Sequence, residues 1–331
     1  MKERPKLDNE PDTPAPRRAK GVPEAVVHVL LQRWLPGQDI MVERAASGGS
    51  TPVYRIIAGT EIFFLRLGEE AGERRDAEVR VHQLLRAAGL PVPAVVAWEA
   101  SPPELDRSAA LTTRVPGVAL LDLPSLSRDQ RALATRAAGR DLARIHRVAV
   151  RGYGWVDAVD PVDGSLIAEH STRSAWASEY EDAGREIVGS HIFSPADCSR
   201  LRDGLDRWLA QPGREMSVLA HGDFDATHIF VDPETGAYMG IIDFGEIRGA
   251  DPLYDLGHAL LQDTQPGRSP IFPDLLAGYR EIAPILDDVH SAIRDQAIAI
   301  GMRQLAIFLR RSSPYAPVLA SQLATVLASN T

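Results

Sequence analysis

The segment AHGDFDATHIF, residues 220–230, sets His221, Asp223 and His228 close together in a polar loop that follows an apolar VLA run. Beyond it, HIFV and MGIIDF are separated by the turn-forming stretch DPETG, and the second run ends in Asp243. Two short apolar runs reversed by a Pro- and Gly-containing turn predict a hairpin. Such a hairpin returns Asp243 to the neighbourhood of the loop carrying Asp223. Two carboxylates then converge, with His228 as a third ligand candidate. One carboxylate that orients and deprotonates a hydroxyl, beside another that grips Mg²⁺ on nucleotide phosphates, is the equipment of metal-assisted phosphoryl transfer.

In phosphotransferase loops of the His-x-Asp kind, an Asn stands five residues after the Asp and offers a carbonyl oxygen to the metal. Here that position is His228. Magnesium prefers oxygen and imidazole suits softer metals, so His228 has three open roles: ligand through a neutral ring nitrogen, direct phosphate contact, or action through water. The spaced motifs resemble the aminoglycoside phosphotransferase superfamily. His221-Gly222-Asp223 is similar to its catalytic loop, and Ile242-Asp243-Phe244-Gly245 to its metal-binding segment. Asp251-Pro252 and Tyr254-Asp255-Leu256 resemble the Gly-Asp-Pro and Tyr-Asp-Leu motifs downstream of that segment. The resemblance implies Asp223 as catalytic base and Asp243 as principal Mg²⁺ ligand, with His228 beside it. It implies that His221 and Asp255 support the loop, and that ATP or GTP is the phosphate donor. A His at position 228 is also a trait of the macrolide-phosphorylating branch.

The elements that must position these groups can be read from the rest of the chain. VPEAVVHVLLQRWL (22–35) has helical spacing; IMVERAA (40–46), VYRIIA (53–58) and EIFFLRL (61–67) read as strands of an antiparallel meander. RRDAEVRVHQLLRAA (74–88) reads as a helix, and PAVVAWEA and AALTTRV as two more strands. Arg66 on the third strand and Glu78 on the inserted helix are candidates for the cation–carboxylate pair that steadies phosphates. SGGSTP (47–52) lies where a nucleotide-positioning loop belongs, so Ser47, Gly48, Gly49, Ser50 and Thr51 are candidate phosphate contacts through backbone N–H groups. By the resemblance, Thr113 and Val115 mark the hinge that meets the purine edge. His146 is expected to pack and hydrogen-bond rather than react.

From 118 onward the character turns helical, over 128–148, 171–188, 196–210 and 252 to the end, around the single strand pair of the hairpin. The expected fold is α+β: a bilobal protein-kinase-like fold with a small antiparallel N-lobe sheet and a mainly helical C-lobe. Its divisions are a disordered tail (1–20), an N-lobe (21–111), a hinge (112–117) and a helical C-lobe (118–331) with the acceptor site.

The chain has 331 residues, 44% hydrophobic and 24% charged, with 36 Lys+Arg against 45 Asp+Glu and a net charge of −9. That balance argues against nucleic-acid binding, which needs clustered positive charge, and is compatible with a cationic small hydroxyl-bearing substrate. One cysteine, Cys198, allows no intrachain disulfide and no thiolate metal cluster. With no apolar run of membrane length and no secretory pattern in MKERPKLDNEPDTPAPRRAK, a cytoplasmic monomer or dimer is expected. An aminoglycoside such as hygromycin is the favoured acceptor. A macrolide, a choline- or homoserine-like metabolite, or a non-catalytic nucleotide-binding regulator are the alternatives.

Overall fold

The computed structural model describes residues 22–44, 53–68, 75–212, 216–285 and 289–329. Ser47, Gly48, Gly49, Ser50 and Thr51 lie outside the described residues.

Helix α1 (Glu24–Trp34) buries Val27, Leu30 and Leu31, spaced to share one helix face, against a sheet. Strands β1 (Ile40–Arg44), β2 (Val53–Ala58) and β3 (Glu61–Leu67) form the expected meander. Helix α2 (Asp76–Ala87) comes next, then β4 (Val95–Glu99) and β5 (Ala109–Thr113). The sheet order is β1-β2-β3-β5-β4, with every pairing antiparallel. Alternation along β2 and β3 sends Tyr54, Ile56, Phe63, Leu65 and Leu67 into the core shared with α1. Arg66, between Leu65 and Leu67, therefore faces the other way, towards α2.

Strand β6 (Val118–Ala119) leads to α3 (Arg128–Ile145), whose start is fixed by a capping box between Ser127 and Gln130. Next come β7 (Ala149–Arg151), β8 (Tyr153–Val159), β9 (Leu166–His170), α4 (Arg173–Gly189) and α5 (Pro195–Leu209). Strands β10 (Ser217–Ala220), β11 (Ile229–Val231), β12 (Tyr238–Ile241) and β13 (Arg248–Ala250) precede α6 (Tyr254–Asp263). The chain then runs through α7 (Phe272–Arg280), α8 (Val289–Arg310) and α9 (Ala316–Ala328).

The helical reading of this half is incomplete in one respect. Strands β10-β13-β8-β9-β7 close into a small barrel, with β7 and β9 parallel. Its strands are as short as three residues, too short for alternation to register, and they obtain their stability from closure and from α4 packed outside. The barrel matters because β10 pairs with β13, Ala220 opposite Arg248. It thereby clamps the start of the loop at His221 to the end of the segment that carries Asp243. The expected hairpin is β11–β12, Ile229 opposite Ile241, with β6 added to its edge. Among the described residues no helix is long and apolar enough to cross a membrane.

Candidate active site

Loop 221–228 leaves β10 and enters β11. Gly222 adopts φ +89°, and a Cβ there would sit 1.7 Å from the Glu246 carbonyl oxygen, so only glycine fits. The loop is held from below by α6. Asp255, fully buried, accepts from the main-chain N–H of His221 (2.8 Å) and of Gly222 (2.9 Å), and from His146 Nε2 (2.9 Å). His146 Nδ1 lies 2.8 Å from the Tyr279 hydroxyl, so this histidine orients the brace. Burial works against an ionised Asp255, but the His146 hydrogen bond, nearby His146 and His221 and the Gly222 N–H prevail and hold its carboxyl below the usual range. His221 donates through Nε2 to the Ile242 carbonyl (2.9 Å), which ties the loop to the strand leading into Asp243. Burial, with His228 close by, keeps the His221 imidazole below its ordinary pKa although Asp255 opposes this.

Asp223 stands at the open side of this frame, its side chain 44% exposed. Asp225 points inward, accepting from Thr227 N–H (2.7 Å), from the Thr227 hydroxyl and from Arg268 (2.7 Å). That Asx turn closes the loop before His228.

Asp243 stands two residues after β12, with φ +66° and ψ +65°, a left-handed conformation for a non-glycine residue. The strain turns the chain sharply into a 3-10 turn, Phe244–Glu246, and aims the carboxylate back at the loop. Oδ1 accepts from Arg66 Nη1 at 2.8 Å, and the same nitrogen lies 3.2 Å from Glu78 Oε1. Arg75 bonds the other Glu78 oxygen at 2.8 Å. A Cβ on Gly245 would lie 2.6 Å from Arg66 Nη2, so the missing side chain makes room for the guanidinium. Burial pushes the Asp243 carboxyl up, yet Arg66 and His228 more than offset it, and it sits far below the ordinary carboxylate range.

His228 resolves into a definite tautomer. Its Nδ1 is 2.7 Å from the Asp223 carbonyl oxygen, which can only accept, so Nδ1 carries the proton. In the neutral ring Nε2 then holds a lone pair, 3.6 Å from Asp243 Oδ2. That separation is outside hydrogen-bond range. It is close to the ~3–3.5 Å that separates two ligands of one ion at metal–ligand distances of about 2.1 Å. Asp243 and His228 thus fit as a two-residue half-site for a divalent cation, with phosphate oxygens and water as the natural remainder.

The remaining sequence candidates have definite surroundings too. Thr113 spends its hydroxyl on Ala94 N–H (2.9 Å), and Val115 is buried, packed at Gly240. In the acidic run 178–186, Glu179 is paired with Arg303 (2.7 Å) and His170 (2.8 Å), Tyr180 is buried, and Glu181 and Asp182 are exposed helix face. Two groups near Asp223 were not singled out from sequence. Glu246, raised in pKa by burial despite Arg248 and further by Asp223 and Asp243, adds negative charge beside the loop. His258, fully buried on α6, reaches the Phe224 carbonyl and Asp223. Its position three residues after Asp255, on the same helix face, was the available signal.

Residues 41–290 match the model of the phosphotransferase enzyme family. The chain is 29% identical over 230 residues to the aminoglycoside 3'-phosphotransferase of Streptomyces ribosidificus, covering 67% of this chain and 81% of that one. It is 30% identical over 174 residues to the streptomycin 3''-kinase of Streptomyces griseus, covering 52% of this chain and 59% of that one. Among solved structures, the ternary complex of a thermostable mutant of aminoglycoside phosphotransferase APH(4)-Ia with ADP and hygromycin B superposes with a TM-score of 0.64. That match has 18% identity and covers 92% of this chain and 99% of the other. The superposition shows the expected α+β, kinase-like fold.

Proposed function

Since this chain belongs to the phosphotransferase enzyme family, and is a phosphotransferase with hydroxyl acceptors, we propose that it moves the γ-phosphate of ATP or GTP to a hydroxyl of an aminoglycoside-type antibiotic. The observation that carries this reading is the convergence of Asp223, Asp243 and His228 at one loop, with Arg66 bridging from β3 to Asp243.

In this reading the nucleotide lies between the N-lobe (21–111) and the C-lobe (118–331), against the hinge at 112–117. Ser47 to Thr51 and the backbone near Thr113 and Val115 contact it. Asp223, half-buried and anchored through its neighbours' main chain, orients the acceptor hydroxyl and takes its proton. Arg66, itself fixed by Glu78, steadies the phosphates bidentately and cannot lose its charge. Asp243 and His228 would hold Mg²⁺, which supplies neutralisation of charge on the phosphate oxygens. A cationic acceptor is supported by the net charge of −9 and by Glu246 beside Asp223. The protein is proposed to act in the cytoplasm, as a monomer or dimer.

Purified protein is incubated with ATP or GTP and Mg²⁺ or Mn²⁺ across streptomycin, kanamycin, hygromycin B, a macrolide, choline and homoserine, and nucleoside diphosphate release is monitored. An aminoglycoside is expected to stimulate release, and Asp223→Asn to abolish it while nucleotide affinity stays within a few-fold. Stimulation by the macrolide or a metabolite alone would replace the acceptor. Bound nucleotide with no stimulated release would favour a regulator.

A further inference from the structure

Two arginines of the C-lobe are buried against a tryptophan ring, and they are served very differently. Arg173 lies 4.6 Å from the Trp208 ring centre, and its guanidinium donates to Asp251 (2.8 Å) and to the main-chain carbonyls of Trp208, Leu209 and Gln211. Arg248 starts β13 opposite Trp155, with its guanidinium 4.4 Å from that ring and 5.5 Å from the Tyr254 ring. Its side chain is 6% exposed, yet Nε and Nη1 have no hydrogen-bond partner among the described residues. Nη2 alone donates, to Glu246 Oε2 at 2.7 Å. A buried guanidinium that served only the fold would have its donors satisfied, as Arg173 does. Arg248 gives its one bond to a carboxylate that is itself 45% exposed.

Glu246 and Asp223 are half-exposed carboxylates, close enough to feel each other's charge. Both attract Arg248, and Arg303 on α8 repels it. Gly222, just before Asp223, leaves room for the guanidinium, since a Cβ there would lie 3.1 Å from Arg248 Nε. The cation is therefore held behind and the carboxylate is presented in front. We infer that Arg248 is a positioning residue for the acceptor: it fixes Glu246 so that this carboxylate meets a cationic group of the acceptor while Asp223 meets the hydroxyl. The inference rests on the reading of a cationic acceptor. A carboxylate accepts at about four lone-pair sites, so one bond to Arg248 leaves the others for an ammonium or guanidinium. A glutamate on its own would have to be ordered by the acceptor at binding. Here a guanidinium stacked on Trp155 and Tyr254 has fixed it beforehand, through a charge-assisted bond of defined direction. Arg248 touches no reacting atom, and its influence runs through Glu246.

The test uses whichever of streptomycin, kanamycin, hygromycin B and choline supports turnover. Acceptor KM, nucleotide KM and kcat are measured for the wild type, Arg248→Met, Arg248→Lys, Glu246→Gln and the double variants that join Glu246→Gln to each Arg248 change. Methionine fills the space over Trp155 without a donor, and lysine keeps the charge without the planar fork. Each Arg248 variant is expected to raise acceptor KM by roughly 3- to 10-fold, the cost of ordering one long side chain at binding. Nucleotide KM and kcat should stay within about twofold, the pattern of lost acceptor binding alone. Glu246→Gln is expected to raise acceptor KM at least as far. Adding an Arg248 change to it should then alter acceptor KM by less than about twofold, because nothing is left to position. An acceptor KM that falls in Arg248→Met means that the arginine only cancels the glutamate's charge, and overturns the inference. So does an unchanged acceptor KM in Glu246→Gln or in the Arg248 variants, an equal rise in nucleotide KM, or an Arg248 effect that persists in the double variants. Where Arg248→Met does not fold, Arg248→Lys carries the same comparison, and loss of fold in both assigns Arg248 to the fold instead. If a cationic acceptor is turned over and the cycle fails, only this inference falls. If none is turned over, the reading of a cationic acceptor falls and takes this inference with it.

Discussion

Replacing Asp255 by asparagine isolates the brace beneath loop 221–228. The carboxylate serves three buried donors, with His221 N and His146 Nε2 on Oδ2 and Gly222 N on Oδ1. An asparagine that keeps its oxygen at the Oδ2 position turns its NH₂ group onto the Gly222 N–H. One buried donor is orphaned, at about 1–3 kcal/mol. The two surviving bonds fall from charge-assisted to neutral, losing roughly 0.5–1 kcal/mol each. The sum is about 3 kcal/mol. With m near ~3 kcal/mol/M for a chain of this size, the urea midpoint should drop by roughly 1 M. Asp255→Ala, which orphans all three donors, should drop further. The pH dependence has a definite sign. The folded carboxyl lies below its unfolded value, so its contribution is complete above about pH 4 and is lost as pH falls through the folded pKa. The gap between wild type and Asp255→Asn should therefore be flat at neutral pH and narrow in acid. A midpoint shift under about 0.3 M at pH 7 would refute the brace.

His228→Asn should retain transfer with Mg²⁺ within about tenfold of the wild type, because an amide can donate to the Asp223 carbonyl and offer its oxygen towards Asp243. The same variant should lower the ratio of Mn²⁺- to Mg²⁺-supported kcat, since an imidazole ligand is lost, and an unchanged ratio would remove His228 from the metal. Asp263, which accepts from the Ile271 and Phe272 N–H groups, is pushed up by burial to about 6, these bonds and Arg268 only partly opposing it. Its folded value exceeds the unfolded one, so it favours folding fully below about pH 4 and that contribution is lost as pH rises through 6. Asp263→Asn keeps an acceptor for both N–H groups without the charge. Relative to wild type it should gain on the order of 2 kcal/mol between pH 4 and pH 8. Urea midpoints at the two pH values that move in parallel would contradict this.

Much of the frame around the site was legible because it rests on simple periodicities. The alternation in EIFFLRL sends Arg66 away from the core, and the turn residues of DPETG give the β11–β12 hairpin that returns Asp243. The barrel was not legible. Strands such as Ala149–Arg151 and Arg248–Ala250 pair with distant partners, and three residues carry no period. The left-handed backbone at Asp243 was equally hidden, since a tertiary turn and not the residue type imposes it. His258 was passed over because one histidine on an apolar helix reads as core until the loop packed against it is known.

The grip of α6 on the loop is almost indifferent to what the loop spells. Asp255 holds the amides of residues 221 and 222, His258 holds the carbonyl of 224, and His228 in turn holds the carbonyl of 223. These are peptide groups that every residue except proline supplies in full. The loop's own side chains fix the rest of its path: His221 bonds the Ile242 carbonyl, Asp225 closes the turn with Thr227 and Arg268, and Phe224 is buried in the core. At position 228 an asparagine can serve the Asp223 carbonyl as the histidine does, so that one exchange leaves the path of the loop as it is.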